Sequence, residues 1–234
     1  MASSAVVLLS GGLDSTVALW WAKRRPYPVL ISLTFSYGSS EERAGLRCSR
    51  AISRKAGCRN VVVRLGALGR IWSGRSALLG GDVPAGLDGP DRSITRAVWV
   101  PARNLVLLSL ATSYAETLEG DVDLIVGFNK EEARTFPDNS REFVARFNEL
   151  LPHSVLEKRI RLVAPLIDLT KKEIVALSRG LGAPVELSCS CYQPRGFVKG
   201  RPLHCGVCQS CMLRNRGFRS AGVVDPTLYE VEPR

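Results

Sequence analysis

Apolar runs alternate along the chain with segments in which apolar residues recur every three or four positions. Short apolar runs rich in β-branched residues are typical of buried strands, and the second pattern is typical of helices packed on a sheet. The predicted strands are Ala5–Leu9, Val29–Phe35, Asn60–Leu65, Asp123–Phe128 and Ile160–Leu166. The predicted helices are Leu13–Lys23, Glu41–Ala56, Ala102–Leu118, Arg141–Leu151 and Lys171–Arg179. This alternation predicts an α/β fold with a parallel five-stranded sheet and helices on both faces.

Two stretches interrupt the alternation. Gly66–Ser93 contains many glycines and little periodicity, so we expect a long loop there. Gly180–Pro184 closes the last predicted helix, and a cysteine-rich segment follows. The sequence therefore predicts an α/β domain over residues 1–184 and a smaller segment, residues 185–234, packed on it.

Composition and charge narrow the class of protein. The chain has 234 residues, of which 45% are hydrophobic and 23% charged, as is ordinary for a globular protein. No apolar run approaches the roughly 18 residues of a membrane span, and no basic segment precedes the first apolar run as in a secretory signal. We therefore expect a cytoplasmic protein that does not enter a membrane.

The net charge of +10 raises the question of a nucleic-acid partner. The basic residues are scattered in short groups without a block of like charge, which is typical of a solvated surface. A positive field also favours small anionic ligands. We therefore expect no direct nucleic-acid partner, although the charge alone leaves a polyanion-binding surface open.

A glycine turn, SGGLDS, joins the first predicted strand to the first predicted helix at Ser10–Ser15. It lacks the spacing of a dinucleotide fingerprint and of a GxxxxGK phosphate loop. Gly11 and Gly12 allow the backbone to approach an anion, and the N–H groups at a helix start favour a phosphate. Asp14 would lie in the first helical turn, where its carboxylate could hold Mg²⁺ on the phosphates. The alternative is an ordinary capped turn, with Asp14 and Ser15 as capping groups.

Five of the seven cysteines lie between residues 189 and 211. In a reducing compartment such a cluster is more typical of metal binding than of disulfides. Cys205, Cys208 and Cys211 recur every three residues, so a turn and a first helical turn would direct their thiolates to one point, where a fourth ligand completes a tetrahedral zinc site. Cys189, Cys191 and the neighbouring His204 remain candidates for that place. An iron–sulfur cluster and free thiols are the alternatives to zinc.

The turn resembles the PP-loop of the ATP pyrophosphatases, enzymes that transfer AMP from ATP to a carbonyl or carboxyl oxygen and release pyrophosphate. This resemblance implies a Rossmann-like sheet of the adenine nucleotide alpha hydrolase type, with ATP as the nucleotide. It also implies that the following residues surround the nucleotide: Leu8, Leu9, Ser10, Gly11, Gly12, Leu13, Asp14, Ser15, Thr16, Val17 and Ala18.

Further blocks resemble the QueC family, the 7-cyano-7-deazaguanine synthases, with archaeal members the most similar. These blocks are VWVPARN (Val98–Asn104), VGFNKEEARTFPDNSREF (Val126–Phe143), SCY (Ser190–Tyr192) and HCGVCQSC (His204–Cys211). The form of the SCY block favours Cys191 over Cys189 as the fourth zinc ligand, with Cys205, Cys208 and Cys211 as the others. The stretch YGSSEER (Tyr37–Arg43) departs from the common bacterial pattern, so no role is transferred from the histidine found there.

The resemblance implies ATP-dependent conversion of 7-carboxy-7-deazaguanine and ammonia to 7-cyano-7-deazaguanine, a precursor of archaeosine and queuosine. ATP would adenylate first the carboxylate and then the amide that ammonia forms. Asp14 and Arg103 would serve catalysis, Arg103 by steadying the α-phosphate or the substrate carboxylate. Asn129, Phe136 and Asp138 would bind the deazaguanine. A homodimer is compatible with the family.

Three other functions remain open at this stage. The first is a PP-loop enzyme that modifies tRNA directly, such as a thiolating enzyme, although Cys48 and Cys58 do not lie next to the PP-loop in the sequence. The second is a related ligase that attaches a deazaguanine to a protein. The third is a non-catalytic zinc-ribbon nucleic-acid binder, which the intact SGGLDS turn disfavours.

Overall fold

The computed structural model describes residues 3–81, 83–85 and 92–233. Its strands are β1 (Ser4–Leu8), β2 (Leu30–Ser36), β3 (Arg59–Arg64), β4 (Val122–Ile125), β5 (Ile160–Val163), β6 (Phe197–Val198), β7 (Arg201–His204) and β8 (Leu228–Tyr229). Its α-helices are α1 (Leu13–Lys23), α2 (Glu42–Ala56), α3 (Gly66–Trp72), α4 (Arg92–Val98), α5 (Arg103–Glu116), α6 (Lys130–Ala133), α7 (Arg141–Leu150), α8 (Lys171–Leu181) and α9 (Gln209–Ser220).

The first five strands form one parallel sheet in the order β3-β2-β1-β4-β5. Side chains of β1 alternate between its faces, so Ala5 and Val7 enter a core cluster with α1, α2 and α8. Val6 enters the opposite cluster with α5 and α7. The prediction of a five-stranded parallel sheet with helices on both faces is therefore confirmed, and the predicted element bounds differ from the observed ones by a few residues at most.

The expected long loop at Gly66–Ser93 is partly wrong. The segment begins with α3, contains a 3₁₀ turn at Ala77–Leu79 and ends as α4 begins, while residues 82 and 86–91 lie outside the described part. The 3₁₀ turn and α3 bury Leu78, Leu79 and Trp72 in a third cluster. A Cβ on Gly69 would lie 2.2 Å from the carbonyl oxygen of Tyr37, so this glycine permits close packing rather than a loop.

The C-terminal segment contains α9 and a small sheet in the order β6-β7-β8. Helix α9 packs on α8, and Phe218 joins the same core cluster as α1. At the contact between these helices, a Cβ on Gly217 would lie 2.6 Å from Cγ of Lys171. Among the described residues, no helix combines the length and the apolar character needed to cross a membrane.

Candidate functional site

The glycine turn lies at the carboxyl end of β1, between strands that extend the sheet in opposite directions. Strand β1 pairs with β2 on one side and with β4 on the other. Ligands of open parallel sheets bind at such a switch point, in the crevice beyond the carboxyl ends of the strands. The fold therefore places Ser10–Ser15 where this rule expects a ligand.

Close backbone contacts hold the turn against α2. Gly11 has a φ of +87°, and a Cβ at this position would lie 2.7 Å from the carbonyl oxygen of Gly45. Conversely, a Cβ on Gly45 would lie 2.8 Å from the carbonyl oxygen of Ser10. Because both residues lack a side chain, the backbone of the turn can pack closely against α2.

The hydroxyl groups of the turn bond within it, since Ser15 Oγ also donates to the Gly12 carbonyl at 3.2 Å, whereas N–H groups at the start of α1 remain free. Ser10 and Ser15 share a hydrogen bond of 3.0 Å between their Oγ atoms, and the Gly12 N–H donates to Ser10 Oγ at 3.3 Å. Gly12 is the N-cap residue of α1 and offers no capping side chain. Within the described contacts, the N–H groups of Asp14 and Ser15 have no acceptor. The alternative of a turn capped by Asp14 and Ser15 is therefore not what the structure shows.

Asp14 belongs to a partly buried charge cluster with Lys171 and Glu132. Lys171 Nζ lies 2.6 Å from Asp14 Oδ2 and 3.7 Å from Glu132 Oε1. Burial lowers the pKa of Lys171, but Asp14 and Glu132 outweigh it, so this pKa lies above its ordinary value. Burial raises the pKa of Glu132, and Lys171 opposes that rise. Asp14 Oδ1 is buried without a partner, so one carboxylate oxygen remains free to accept a ligand.

Arg103 is half-buried at the first residue of α5, with its Nη1 3.4 Å from the Tyr37 hydroxyl. Among the described residues, no carboxylate lies within ion-pair distance of Arg103, so the structure does not show a surface salt bridge there. Burial raises the pKa of the Tyr37 hydroxyl, which stays protonated at neutral pH. The Arg103 guanidinium therefore retains donors for an anion.

Asn129 is fully buried and caps α6. Its Oδ1 accepts from the N–H groups of Glu131 at 3.1 Å and Glu132 at 3.0 Å, while its Nδ2 has no partner. The cap fixes the backbone that carries Glu132. Asn129 thus supports the charge cluster, and a ligand contact would have to use its Nδ2.

Asp138 has one partnered and one free oxygen. Its Oδ2 accepts from the Asn104 N–H at 3.3 Å, and its Oδ1 is buried without a partner. Burial raises the pKa of Asp138, and Arg103 opposes the rise. This free, buried acceptor suits a guanidine-like group of a ligand.

The aromatic ring of Phe136 stacks on that of Trp99, with 5.9 Å between centroids and 11° between planes. Because Trp99 occupies one face, a second ring could stack only on the other face of Phe136 or on the outer face of Trp99. Trp99 was not among the ligand contacts predicted from the sequence.

A chain of hydrogen bonds connects the predicted nucleotide and substrate residues. Glu132 Oε2 accepts from Asn139 Nδ2 at 3.2 Å, and Asn139 Oδ1 accepts from Asn104 Nδ2 at 2.5 Å. Asn104 also contacts Asp138. The cluster around Asp14 is therefore linked to Asp138 through side chains from several elements.

Sequence reasoning missed Lys171 and Glu132. Thr170 caps α8 in a capping box with Glu173, so Lys171 occupies the first helical position. A lysine at this end of a helix opposes the helix dipole. That unfavourable placement, at the start of the helix that follows the last strand of the parallel sheet, was the signal in the sequence that could have identified Lys171.

The structure brings together Cys191, Cys205, Cys208 and Cys211. All four are buried, and their sulfur atoms lie within 4.8 Å of one another. The sulfur atoms are separated by 3.4 Å for Cys191–Cys205, 4.0 Å for Cys191–Cys208, 4.0 Å for Cys205–Cys211 and 3.5 Å for Cys208–Cys211. A tetrahedral ion with Zn–S bonds of about 2.3 Å needs sulfur atoms about 3.8 Å apart. The four sulfur atoms fit such an ion.

Cys189 and His204 lie outside this four-sulfur group. The Cys189 N–H donates to the Gly11 carbonyl at 2.8 Å, which ties the segment to the glycine turn. His204 Nδ1 lies 3.9 Å from Cys211 Sγ, and its Nε2 lies 3.4 Å from the Ser188 carbonyl oxygen. The cysteine segment therefore reaches the turn as well as its own sulfur cluster.

Gly127 follows β4 and packs against the start of α1, so a substitution there tests whether this contact keeps the turn in place. A Cβ on Gly127 would lie 2.7 Å from the Ser15 nitrogen and 2.8 Å from the Asp14 carbonyl carbon. We expect Gly127→Ala to displace the start of α1, to destabilise the protein by about 1–3 kcal/mol and to weaken ATP binding. Thermal melting and calorimetric titration measure the two effects.

Gly180→Ala is the matched control, since a Cβ there meets nothing within 4 Å in α8. We expect it to keep ATP affinity and to stabilise the helix by up to about 1 kcal/mol. Equal ATP affinity in Gly127→Ala and wild type would show that ATP binding does not depend on the contact between Gly127 and the start of α1.

Comparison with known proteins places this arrangement in a family. The family model described as queuosine biosynthesis protein QueC matches residues 4–222. The 7-cyano-7-deazaguanine synthase of Pyrococcus furiosus is 47% identical over 242 residues, covering all of both chains. That of Methanothermobacter thermautotrophicus is 42% identical over 229 residues, covering 96% of this chain and 98% of its own.

Among solved structures, an NH3-dependent NAD synthetase from Campylobacter jejuni, in complex with the nitrate ion, has a TM-score of 0.47 and 17% identity. The match covers 79% of this chain and 66% of that one. The family model and the full-length relatives agree with the family resemblance of the sequence. The chain belongs to the QueC family.

Proposed function

We propose that this protein converts 7-carboxy-7-deazaguanine and ammonia to 7-cyano-7-deazaguanine at the expense of ATP. The proposal is carried by one observation: the family match spans residues 4–222, and this range contains a glycine turn with free N–H groups beside a partly buried charge cluster. Relatives bearing the name of this synthase extend over the whole chain.

The chemistry requires activation of two poor leaving groups. A carboxylate oxygen of the substrate attacks the α-phosphorus of ATP and releases pyrophosphate, and ammonia then displaces AMP to form the amide. The amide oxygen attacks a second ATP in the same way, and loss of AMP with a proton leaves the nitrile. Each turnover thus yields two AMP and two pyrophosphate. The protein supplies positioning and charge stabilisation at the phosphates.

ATP would bind along Leu8–Ala18. The N–H groups of Asp14 and Ser15 have no acceptor within the described contacts, so they can donate to phosphate oxygens at the start of α1. Arg103 would neutralise the α-phosphate or the substrate carboxylate. These roles would use the free donors of the turn and of the Arg103 guanidinium.

Mg²⁺ fits the carboxylates beside the turn. Asp14 Oδ1 is buried without a partner, and Glu132 lies across Lys171 from Asp14. Mg²⁺ prefers such oxygen ligands, and when bound it would neutralise phosphate charge. Lys171 already balances part of the carboxylate charge, so it would share these carboxylates with the ion.

The deazaguanine would bind beyond the charge cluster. Its planar ring would stack beside Phe136 and Trp99, and its guanidine-like edge would donate to the free Asp138 Oδ1. Asn129 would contribute through its free Nδ2 while its Oδ1 holds α6.

Zn²⁺ is the metal that we propose for Cys191, Cys205, Cys208 and Cys211. Four buried sulfur ligands without an open position are typical of a structural zinc site. In this proposal residues 185–234 form a zinc-supported segment on a nucleotide-binding domain of residues 1–184. In this proposal the partners are small molecules in the cytoplasm, without direct nucleic-acid contact, and a homodimer is compatible with the family.

The purified protein should release AMP and pyrophosphate through repeated turnovers when Mg-ATP, ammonia and 7-carboxy-7-deazaguanine are all present, and it should release neither when the deazaguanine acid is left out. We expect two AMP for each nitrile, measured by chromatography and mass spectrometry, because two oxygen atoms must leave as AMP. Omitting the deazaguanine acid is the control.

Other outcomes would overturn the proposed substrate. AMP release that depends on tRNA would favour a tRNA-modifying enzyme, and a deazaguanine adduct on an added protein would favour a protein ligase. Absence of any AMP together with tight nucleic-acid binding would favour a non-catalytic binder.

A further inference from the structure

Arg214, on α9, is a buried cation with neutral partners. Its side chain is 1% exposed, and no carboxylate of the described residues lies within ion-pair distance of it. Its hydrogen bonds are Nε to Thr227 Oγ1 at 2.6 Å, Nη1 to Ser188 Oγ at 2.9 Å and to Ser190 Oγ at 3.1 Å, and Nη2 to the Val185 carbonyl oxygen at 2.8 Å. Burying a guanidinium without a carboxylate partner costs free energy of folding. This cost suggests that Arg214 has a functional role, which its hydrogen bonds indicate.

Ser188 and Ser190 both accept from Arg214 Nη1 but differ in their remaining contacts. Ser188 Oγ donates to the Val185 carbonyl at 2.6 Å, so the proton of this hydroxyl is used. Ser190 Oγ instead accepts a second hydrogen bond, from the Leu13 N–H at 3.4 Å. A hydroxyl has two acceptor sites and one proton. Ser190 thus keeps its proton, and the described residues offer that proton no acceptor.

The free proton lies at the predicted phosphate site. Leu13 is the first residue of α1, and the neighbouring Cys189 N–H donates to Gly11 at 2.8 Å. Ser190 therefore lies beside the glycine turn, although 177 residues separate it from Leu13 in the sequence. A phosphate oxygen at the start of α1 is a suitable acceptor for its proton.

We propose that Ser190 is a phosphate-binding residue of the nucleotide site and that Arg214 is the positioning residue that keeps its hydroxyl in a donating orientation. Arg214 achieves this by occupying one acceptor site of Ser190 Oγ, and the Leu13 N–H occupies the other. The cysteine segment thereby contributes a ligand contact and not only stability. This inference rests on the proposed function in taking ATP as the ligand.

Calorimetric titration of the full-length protein with Mg-ATP, and separately with inorganic pyrophosphate, tests the proposal without any deazaguanine. Ser190→Ala should weaken both ligands about tenfold, as expected for a lost hydrogen bond to a charged group. Ser190→Thr keeps the hydroxyl and should restore binding to within about threefold of wild type. In turnover, Ser190→Ala should raise the KM for ATP and leave the KM for the deazaguanine acid unchanged.

Ser188→Ala is the matched control, because it loses the same Arg214 contact without touching the turn. It should bind Mg-ATP as wild type does, and all serine variants should retain the metal. Arg214→Met should weaken Mg-ATP as Ser190→Ala does, with little further loss in the double variant. If Arg214→Met does not fold, the comparison of Ser190→Ala with Ser188→Ala tests the proposal on its own.

Mg-ATP affinity of Ser190→Ala within twofold of wild type would overturn the inference, as would an equal loss in Ser188→Ala. The affinity measurements that decide this use ATP and pyrophosphate alone. A protein that bound both but made no nitrile would therefore refute the proposed substrate without refuting the role of Ser190.

Discussion

Asp14→Asn should lower kcat/KM for ATP about a hundredfold to a thousandfold, in the range seen when a charge-stabilising group is removed from an active site. The wild-type carboxylate accepts from Lys171 at 2.6 Å and keeps a buried, unpartnered Oδ1 beside the free N–H groups of the turn. Asparagine keeps the shape but removes the charge that would hold Mg²⁺ on the phosphates. Steady-state measurement of AMP release gives the effect.

The same change alters the charge balance around Lys171, which then faces Glu132 at 3.7 Å as its remaining carboxylate. We expect a modest loss of thermal stability with the fold retained. Asp168→Asn is the matched control, because Asp168 pairs with Arg141 at an exposed site where both side chains are about two-thirds accessible. Exposed pairs contribute little, so this variant should have wild-type activity. Retention of more than a tenth of wild-type activity by Asp14→Asn would contradict a catalytic role for Asp14.

The sheet could be predicted because each central strand is buried on both faces. Ala5 and Val7 pack on one side of the sheet and Val6 on the other, so β1 appears in the sequence as a continuous apolar run. The end of β4 was less predictable. The apolar run continues to Phe128, but the strand ends at Ile125, and Gly127 then passes against the start of α1. That contact depends on the tertiary structure, which a local pattern does not contain.

Some parts of the candidate site could likewise be predicted from adjacent residues, whereas others depend on contacts between distant segments. The glycine turn was predictable because its glycines, hydroxyls and helix start are adjacent in sequence. The ion pair between Asp14 and Lys171 spans 157 residues, so no local spacing indicates it. Phe136 was predicted as a stacking surface, but its pairing with Trp99 brings together residues from separate segments.

The cysteines show what the spacing of residues in the sequence can predict and what it cannot. Cys205, Cys208 and Cys211 share a regular interval that predicts convergence, and the structure places their sulfur atoms together. Cys189 and Cys191 are two residues apart, so spacing alone favours neither. The backbone of Cys189 is tied to Gly11, while Cys191 reaches the sulfur cluster. The difference depends on where the segment crosses the glycine turn.

Cys208→Ser should remove most of the bound metal and lower the Tm by about 10 °C or more. Metal binding is folding free energy in small metal-supported segments, and in a chain of this size each kcal/mol changes the Tm by about 2–4 °C. Elemental analysis of the wild-type protein should find about one zinc per chain. A brown preparation containing iron would contradict the assignment of zinc.

Cys189→Ser is the matched control for that change, since Cys189 is also buried in the same segment but lies outside the four-sulfur group. We expect it to keep the metal and to change the Tm by only a few degrees. In Cys208→Ser, by contrast, the loosened segment would no longer hold the Cys189 N–H on Gly11 or Ser190 Oγ on the Leu13 N–H. ATP affinity should therefore fall together with metal content. Unchanged ATP affinity in a metal-free variant would show that the turn keeps its shape without the cysteine segment, and the coupling between the two ends of the chain would then be absent.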